Sequence, residues 1–154
     1  MSNLLNYKCL LENEPTVYFE EKVVKDMKTI VVSIHNGLLA EGIMRMLEES
    51  GEFRPVRNVS TKQGGVIQSC QALSADLWLA EVSYALDSTI ERRLEQAREL
   101  HRTVPRCKIA FFCDENSSPE LAHEVKNAKK DGFADGFFYA SVTAKYLVAA
   151  LSVL

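Results

Sequence analysis

The sequence lacks any hydrophobic stretch of the roughly 18 residues that a membrane-spanning helix needs. Its N-terminus also lacks the basic segment, the apolar core and the small-residue cleavage site of a secretory signal. From these two absences we expect a cytoplasmic protein that does not contact a membrane.

Cysteine and histidine are scarce and are not arranged as ligands. The sequence has no C-x-x-C pair and no histidine at metal-ligand spacing; these residues are scattered, as Cys9, Cys70, Cys107, Cys113, His35, His101 and His123. We therefore expect buried thiols, no zinc or haem site, and no bound metal or cofactor.

Positive charge is not in excess either. The net charge is −3 and the isoelectric point is about 5.7. Because no overall basic surface is available to attract phosphates, we expect no direct binding of nucleic acid by this chain.

The overall composition of the chain is typical of one globular domain. The chain has 154 residues, of which 47% are hydrophobic and 25% are charged. Residues 1–27 form a weakly patterned N-terminal extension, and a strongly patterned domain covers residues 28–154. We hypothesise that Met27 is an alternative start.

The most informative stretch is residues 75–83, which reads Ala-Asp-Leu-Trp-Leu-Ala-Glu-Val-Ser. Its apolar run has no polar alternation, which is typical of a strand buried on both faces of a parallel sheet. Ligands of such sheets bind outside the carboxyl ends of the strands. Glu81 is therefore placed where chemistry would occur.

Similar segments alternate with amphipathic ones along the chain. Strands are predicted over residues 29–34, 53–59, 76–82, 108–112 and 136–139, with the second strand at a sheet edge because of Pro55. Helices are predicted to begin at caps that we place at Asn36, Thr61, Ser88, Ser118 and Thr143. Five strand–helix units with short connections predict an α/β fold, a doubly wound parallel sheet of five strands with helices on both faces.

Spacing also predicts which helical side chains point inward. They are Leu39, Ile43, Met46, Leu47, Val66, Ile67, Cys70, Leu73, Ile90, Leu94, Ala97, His101, Leu121, Val125, Ala128, Leu147, Val148 and Leu151. The charged run from Glu91 to Arg93 is assigned to a solvated face.

Three segments together resemble a known family. They are Asn36-Gly37-Leu38-Leu39-Ala40-Glu41-Gly42-Ile43, Asp76-Leu77-Trp78-Leu79-Ala80-Glu81 and Gly132-Phe133-Ala134-Asp135-Gly136-Phe137-Phe138. In this order and spacing, residues 28–154 resemble the receiver domain of bacterial response regulators, especially that of LuxR-type transcription regulators. The resemblance implies a flavodoxin-like (βα)5 receiver fold.

The resemblance also implies where a receiver would have its functional residues. Receivers accept a phosphoryl group on an aspartate after strand three, bind magnesium through an acidic pair after strand one, and use a hydroxyl residue and a lysine after strands four and five. These positions fall on Glu81, on Ile34 and His35, on Cys113, and on Ala140, with Tyr139 as the neighbouring alternative to Ala140.

Every one of these positions departs from the family pattern. Magnesium prefers hard oxygen ligands, whereas Ile34 offers none and a neutral His35 offers nitrogen. Without the metal and the lysine, the electrostatic stabilisation on which phosphoryl transfer relies is missing. We therefore predict a degenerate pseudo-receiver that is not phosphorylated, has no catalytic residues and is not an enzyme.

Two roles remain open for Glu81. Its fixed negative charge is a partial imitation of a phosphorylated aspartate. Alternatively, it caps a helix or forms a charge-assisted hydrogen bond with the imidazole of His35.

The resemblance implies that a protein partner or a second copy binds the face made by helix four, strand five and helix five. Here that face includes His123, Lys126, Asn127, Lys129, Lys130, Tyr139 and Tyr146. The lysines form a basic stripe at helical spacing, which is either a solvated face or a site for an acidic partner. The expected role is signal transduction or transcription regulation; the sequence leaves open whether a DNA-binding domain normally follows Leu154.

The sequence also allows two alternative interpretations. A small-molecule or cofactor-binding flavodoxin-like domain is suggested by a faint similarity of Ser33-x-His35-Asn36-Gly37 to a cobalamin-binding pattern, but Ser33 replaces the expected aspartate. An enzyme with Cys113 as its nucleophile would need an activated thiol, and the neighbouring Asp114 and Glu115 act against activation.

Overall fold

The computed structural model describes residues 27–59 and 64–154. In those residues five strands alternate with five helices, namely β1 (Lys28–Ser33), α1 (Gly37–Glu49), β2 (Phe53–Arg57), α2 (Gly65–Ala72), β3 (Leu77–Glu81), α3 (Ile90–Thr103), β4 (Lys108–Cys113), α4 (Pro119–Lys130), β5 (Gly136–Tyr139) and α5 (Ala144–Ser152). The N-terminal extension up to residue 26 and the predicted cap Thr61 lie outside the described residues. None of the described helices has the length and apolar character needed to cross a membrane.

The strands form one parallel sheet in the order β2-β1-β3-β4-β5. β3 is the central strand, and β2, which contains Pro55, is an edge strand. A proline lacks the N–H that a central strand would donate, so the edge suits it. The predicted doubly wound α/β fold with five parallel strands is confirmed.

The sheet separates two apolar layers, and β3 contributes to both. Trp78 and Ala80 pack in the layer that contains α2, α3 and α4, whereas Leu77 and Leu79 pack in the layer that contains α1 and α5. All four residues are at most 1% exposed. Because both faces of β3 are covered, every position of the strand before Glu81 is apolar.

The helix starts follow from local capping. The side chains of Asn36, Ser118 and Thr143 each accept a hydrogen bond from the main-chain N–H three residues further on, as predicted. The predicted cap of α3 was wrong by one residue. Thr89 is the cap and accepts from the amide of Arg92, whereas Ser88 is buried.

Some predicted inward positions were also wrong. Leu39 and Leu73 are 37% and 40% exposed. Leu39 lies in the first turn of α1, where Ala40 is the buried residue, and Leu73 follows the last residue of α2. On α3 the predicted Ile90 and Ala97 are buried, and the predicted Leu94 is half-buried and packs against the core. The other buried residues of this helix are Arg93 and Leu100, so the centre of the inward face lies one residue before the predicted His101, which is half-buried.

Two aspartates of the receiver-like segments bind main-chain amides of neighbouring strands. Asp76, before β3, accepts from the amide of Thr29 in β1 at 2.9 Å. Asp135, before β5, accepts from the amide of Ile109 in β4 at 2.8 Å. Both bonds lie at the end of the sheet opposite Glu81. Part of the resemblance therefore rests on residues that join the strands.

Candidate functional site

The carboxyl ends of the strands meet at one edge of the sheet, which is where ligands bind in folds of this class. Glu81 ends β3, Cys113 ends β4, and His35 and Ala140 follow β1 and β5. The amide of His35 contacts the Glu81 carboxylate, and the amide of Ala140 donates to the main-chain oxygen of Cys113 at 2.9 Å. The positions selected from the sequence are thus brought together at this edge.

The Glu81 carboxylate is held by the main chain. Its Oε2 atom accepts a hydrogen bond from the amide of His35 at 2.7 Å. The sequence suggested a bond to the imidazole of His35, but the bond in the structure uses the backbone N–H of that residue instead. A hydrogen bond to an ionised acceptor is stronger than a neutral one, so Glu81 ties the end of β3 to the segment after β1.

Two of the selected positions turn their side chains into the core. Ile34 is 2% exposed and packs in the layer with α1 and α5, and Cys113 is fully buried in the opposite layer. Burial, followed by the charges of Glu115 and Asp114, raises the pKa of Cys113 to about 11. The acidic neighbours act in the direction expected from the sequence. The thiol is protonated at neutral pH, which disfavours a nucleophilic role.

The end of β5 presents no cation at this edge. Ala140 is exposed, and Tyr139 is half-buried with its ring 5.4 Å from that of Phe137 in an edge-to-face contact. Nearby, a hydrogen bond from the Ser141 side chain keeps the pKa of Glu115 below its ordinary value, which links the loops that follow β4 and β5.

Arg93 is buried beneath the same edge, although the sequence was interpreted as placing it on a solvated face. Only 5% of the residue is exposed. Its Nε donates to the main-chain oxygen of Glu81 at 2.8 Å, and its two terminal nitrogens lie 3.0 Å from Oε1 of Gln96 and 3.3 Å from Oγ of Ser88. Burial lowers the pKa of Arg93 to about 10, and the charges of Asp87 and Glu81 oppose that shift.

The Arg93 contacts extend into the central strand. Its guanidinium carbon lies 5.5 Å from the centre of the Trp78 ring, within cation–π distance. Nε1 of Trp78 in turn donates to Oγ of Ser33 at 3.0 Å. A sequence signal for this group exists, because Ile90, Arg93, Ala97 and Leu100 are spaced by three and four residues as one helical face.

A magnesium ion does not fit the residues at this edge. The side chain of Ile34 is apolar and lies in the core, and one Glu81 oxygen is already bonded to an N–H group. Over residues 27–59 and 64–154, no three His, Cys, Asp or Glu side chains are grouped so that they could hold a metal ion. Hard oxygen ligands, which magnesium requires, are therefore not assembled here.

The face predicted to bind a partner surrounds the β5 edge of the sheet. α4 and α5 lie on opposite sides of the sheet and flank β5. His123, Lys126, Lys129, Lys130 and Tyr146 are exposed, while Asn127 and Tyr139 are half-buried. Nζ of Lys129 lies 5.8 Å from the centre of the Phe137 ring, so this lysine is partly engaged within the domain.

Comparisons with known proteins find likeness in structure but not in sequence. No family model matches the sequence, and no curated protein matches it. A LuxR-family DNA-binding response regulator from Staphylococcus aureus superposes with a TM-score of 0.64 at 9% identity, over 82% of this chain and 98% of that one. The chemotaxis protein CheY4 from Vibrio cholerae gives 0.63 at 15% identity, over 82% and 98% of the two chains.

A further solved structure is longer than this chain. It is a response regulator from Burkholderia pseudomallei that contains a phosphorylated aspartic acid, a calcium ion and citrate, and it superposes with a TM-score of 0.60 at 20% identity. The match covers 80% of this chain and 66% of that one, so the chain spans about two thirds of its length. At such identities the likeness concerns architecture rather than activity. The chain has the fold of response regulator receiver domains.

Proposed function

We propose that residues 28–154 form an atypical receiver domain that binds proteins without being phosphorylated. Its role is signal transduction or transcription regulation in the cytoplasm, with residues 1–27 as an extension of the domain. It is not an enzyme, and it binds neither nucleic acid nor a membrane directly. The receiver fold supports the signalling role.

One observation carries the phosphorylation-independent part of the proposal. The Glu81 carboxylate accepts the His35 amide, and the neighbouring Ile34 side chain is buried in the core. Phosphoryl transfer depends on cations that neutralise charge on the transferred group. At this edge the side chains of Ile34 and Ala140 supply none.

In this proposal Glu81 has a permanent role. Its negative charge is present without a phosphodonor and is held in place by a main-chain bond. That charge imitates part of a phosphorylated aspartate, and the bond fixes the β3 end in one arrangement. The domain is therefore constitutively competent to bind its partner.

The partner face in this proposal is the one formed by α4, β5 and α5. Its exposed lysines, Lys126, Lys129 and Lys130, contrast with a net charge of −3 for the whole chain. Opposite charge steers association and selects partners. We therefore assign to this face a second copy of the chain or an acidic protein surface.

Thermal unfolding with magnesium and beryllofluoride, a phosphoryl mimic, tests the proposal. Ligand binding to the native state stabilises it by RT ln(1 + [L]/Kd), which is about 2.7 kcal/mol when [L] is 100 Kd. We expect the same melting temperature with both additives, with either alone and with neither. A magnesium-dependent increase that is lost in Glu81→Gln would refute phosphorylation independence.

A further inference from the structure

A cavity of about 200 Å³ lies beside the Glu81 edge, between the ends of β1 and β2 and the start of α3. It is lined by Ser33, Ile34, His35, Asn58, Val59, Val66, Asp87, Ser88, Arg92, Arg93 and Gln96. A water molecule takes up about 30 Å³ in the liquid. The cavity volume therefore corresponds to about six or seven water molecules. That is the size of a small organic or inorganic ion.

The lining of the cavity is rich in hydrogen-bond donors and poor in negatively charged groups. Arg92 and Arg93 contribute guanidinium groups, Gln96 contributes an amide, and Ser88 a hydroxyl. Among the described residues that line the cavity, Asp87 is the sole carboxylate. A ligand here would meet a positive and donor-rich surface.

Arg93 is the strongest single indication of an anion. Only 5% of Arg93 is exposed, and its hydrogen bonds go to uncharged oxygens, namely the main-chain oxygens of Glu81 and Ser33 and the side-chain oxygens of Gln96 and Ser88. In the described part of the chain it has no carboxylate within ion-pair distance. The charges of Asp87 and Glu81 act on Arg93 from beyond ion-pair distance. Because a buried cation is costly unless it is closely paired, an anion in the cavity would supply a direct counter-ion. Burial lowers the pKa of Arg93 to about 10, although the charges of Asp87 and Glu81 act in the opposite direction.

We propose that this cavity binds a small anion that carries a phosphate or carboxylate group. The planar fork of a guanidinium matches both groups, because each can accept two parallel N–H bonds. The site is separate from the face formed by α4, β5 and α5, so it does not depend on the partner proposed for that face.

An anion bound in the cavity would affect the candidate site through hydrogen bonds that connect the cavity lining to Glu81 and Trp78. Nε of Arg93 is bonded to the main-chain oxygen of Glu81, and Ser33, which lines the cavity, is bonded to Trp78. An anion that draws the Arg93 guanidinium toward itself would therefore alter the end of β3. The anion is in this way an input signal for a domain that is not phosphorylated.

The fluorescence of Trp78 can report anion binding, because Trp78 is the only tryptophan of the chain. Its fluorescence would be titrated with inorganic phosphate and separately with malonate, with sodium chloride at matched ionic strength as the reference. We expect a saturable change in emission with at least one of the two anions. A response to one alone identifies whether the site prefers phosphate or carboxylate, and a response no different from that to chloride overturns the inference.

Three variants show whether the response comes from the cavity. Arg92→Gln should weaken binding about tenfold, since a hydrogen bond to a charged group is lost. Asp87→Asn should strengthen it about fourfold, because this change neutralises a carboxylate of the lining. Arg98→Gln removes the same charge from an exposed position of α3 and should leave binding unchanged. Equal affinity in all three variants, each with an unchanged melting curve, would also overturn the inference.

Discussion

The main-chain amide of His35 donates a hydrogen bond to Oε2 of Glu81 at 2.7 Å, although the two residues are 46 positions apart in the sequence. This bond joins the end of β3 to the segment that follows β1. A carboxylate used in this way holds two strand ends together. One of the two carboxylate oxygens of Glu81 is therefore occupied by the main chain.

Replacing Glu81 should separate the effect of the hydrogen bond from that of the charge. Glu81→Ala leaves the His35 amide without its acceptor, and we expect a loss of about 1–2 kcal/mol in the free energy of unfolding. Glu81→Gln keeps an acceptor oxygen and should lose about 0.5–1 kcal/mol. Urea unfolding measures both, with Glu41→Ala on the exposed side of α1 as the control. A loss in Glu81→Ala no larger than in the control would contradict the role of this bond.

Arg93 should contribute far more to stability than other arginines of α3. Arg93→Met leaves the partly buried main-chain oxygen of Glu81 without its donor and removes a buried guanidinium from its other acceptors, and we expect a loss of about 2–4 kcal/mol. Arg98→Met is the matched control on the same helix. Arg98 is exposed and lies 5.0 Å from the Phe133 ring, a contact worth about 0.5–1 kcal/mol.

Arg93→Lys sharpens this comparison. Lysine keeps the charge but not the planar fork of the guanidinium. The free energy of unfolding of Arg93→Lys should therefore lie between those of the wild type and Arg93→Met. Equal urea midpoints for Arg93→Met and Arg98→Met would show that the buried network does not stabilise the fold.

Cys113 should make stability fall at alkaline pH. Its pKa is raised from an ordinary 9.0 to about 11 by burial and by the charges of Glu115 and Asp114. Between these values the folded state keeps the thiol proton while the unfolded state loses it. The contribution of the protonated thiol to the free energy of unfolding is therefore complete below pH 9 and is lost as the pH rises through 11. We expect the free energy of unfolding of Cys113→Ala to fall less steeply than that of the wild type over this range. Parallel curves would count against the raised pKa.

Charge reversal on α4 should test the partner face. Lys126→Glu combined with Lys130→Glu places two acids on an exposed stripe, and we expect self-association to weaken by about tenfold or more in low salt. Arg54→Glu, at an exposed position of the opposite edge strand β2, is the control. Sedimentation velocity over a range of concentrations measures the change. A wild-type protein that stays monomeric would contradict the homodimer, and equal weakening in the control would contradict this choice of face.

Much of the fold was predictable because its causes are local or periodic. The caps Asn36, Ser118 and Thr143 bond to amides three residues away, so a short segment contains the whole interaction. The misplacement of the α3 cap at Ser88 has a physical reason as well. Ser88 and Thr89 are both good caps by type, and the choice depends on Ser88 being buried against Arg93, which is a tertiary contact.

The candidate site was predictable in position but not in its contacts. Because the carboxyl ends of parallel strands share one edge, the succession of strands was enough to place His35, Glu81 and Cys113 together. Which atoms meet there depends on distances between segments far apart in the chain. The choice of the His35 amide over its imidazole is one such case, and the sequence contains no periodic signal for it.

The sequence by itself determined a parallel α/β sheet in which β3 is covered on both faces, because such a strand has to be apolar along its whole length. Its resemblance to receivers also led to the prediction that the functional positions of a phosphorylatable receiver carry other residue types in this chain. Only the tertiary structure decided that Arg93 lies inside, with its Nε on Glu81 and its guanidinium beside Trp78. A guanidinium on a helix is stable in water or in a core that satisfies its donors, and whether such a core exists depends on oxygens contributed by other strands and helices.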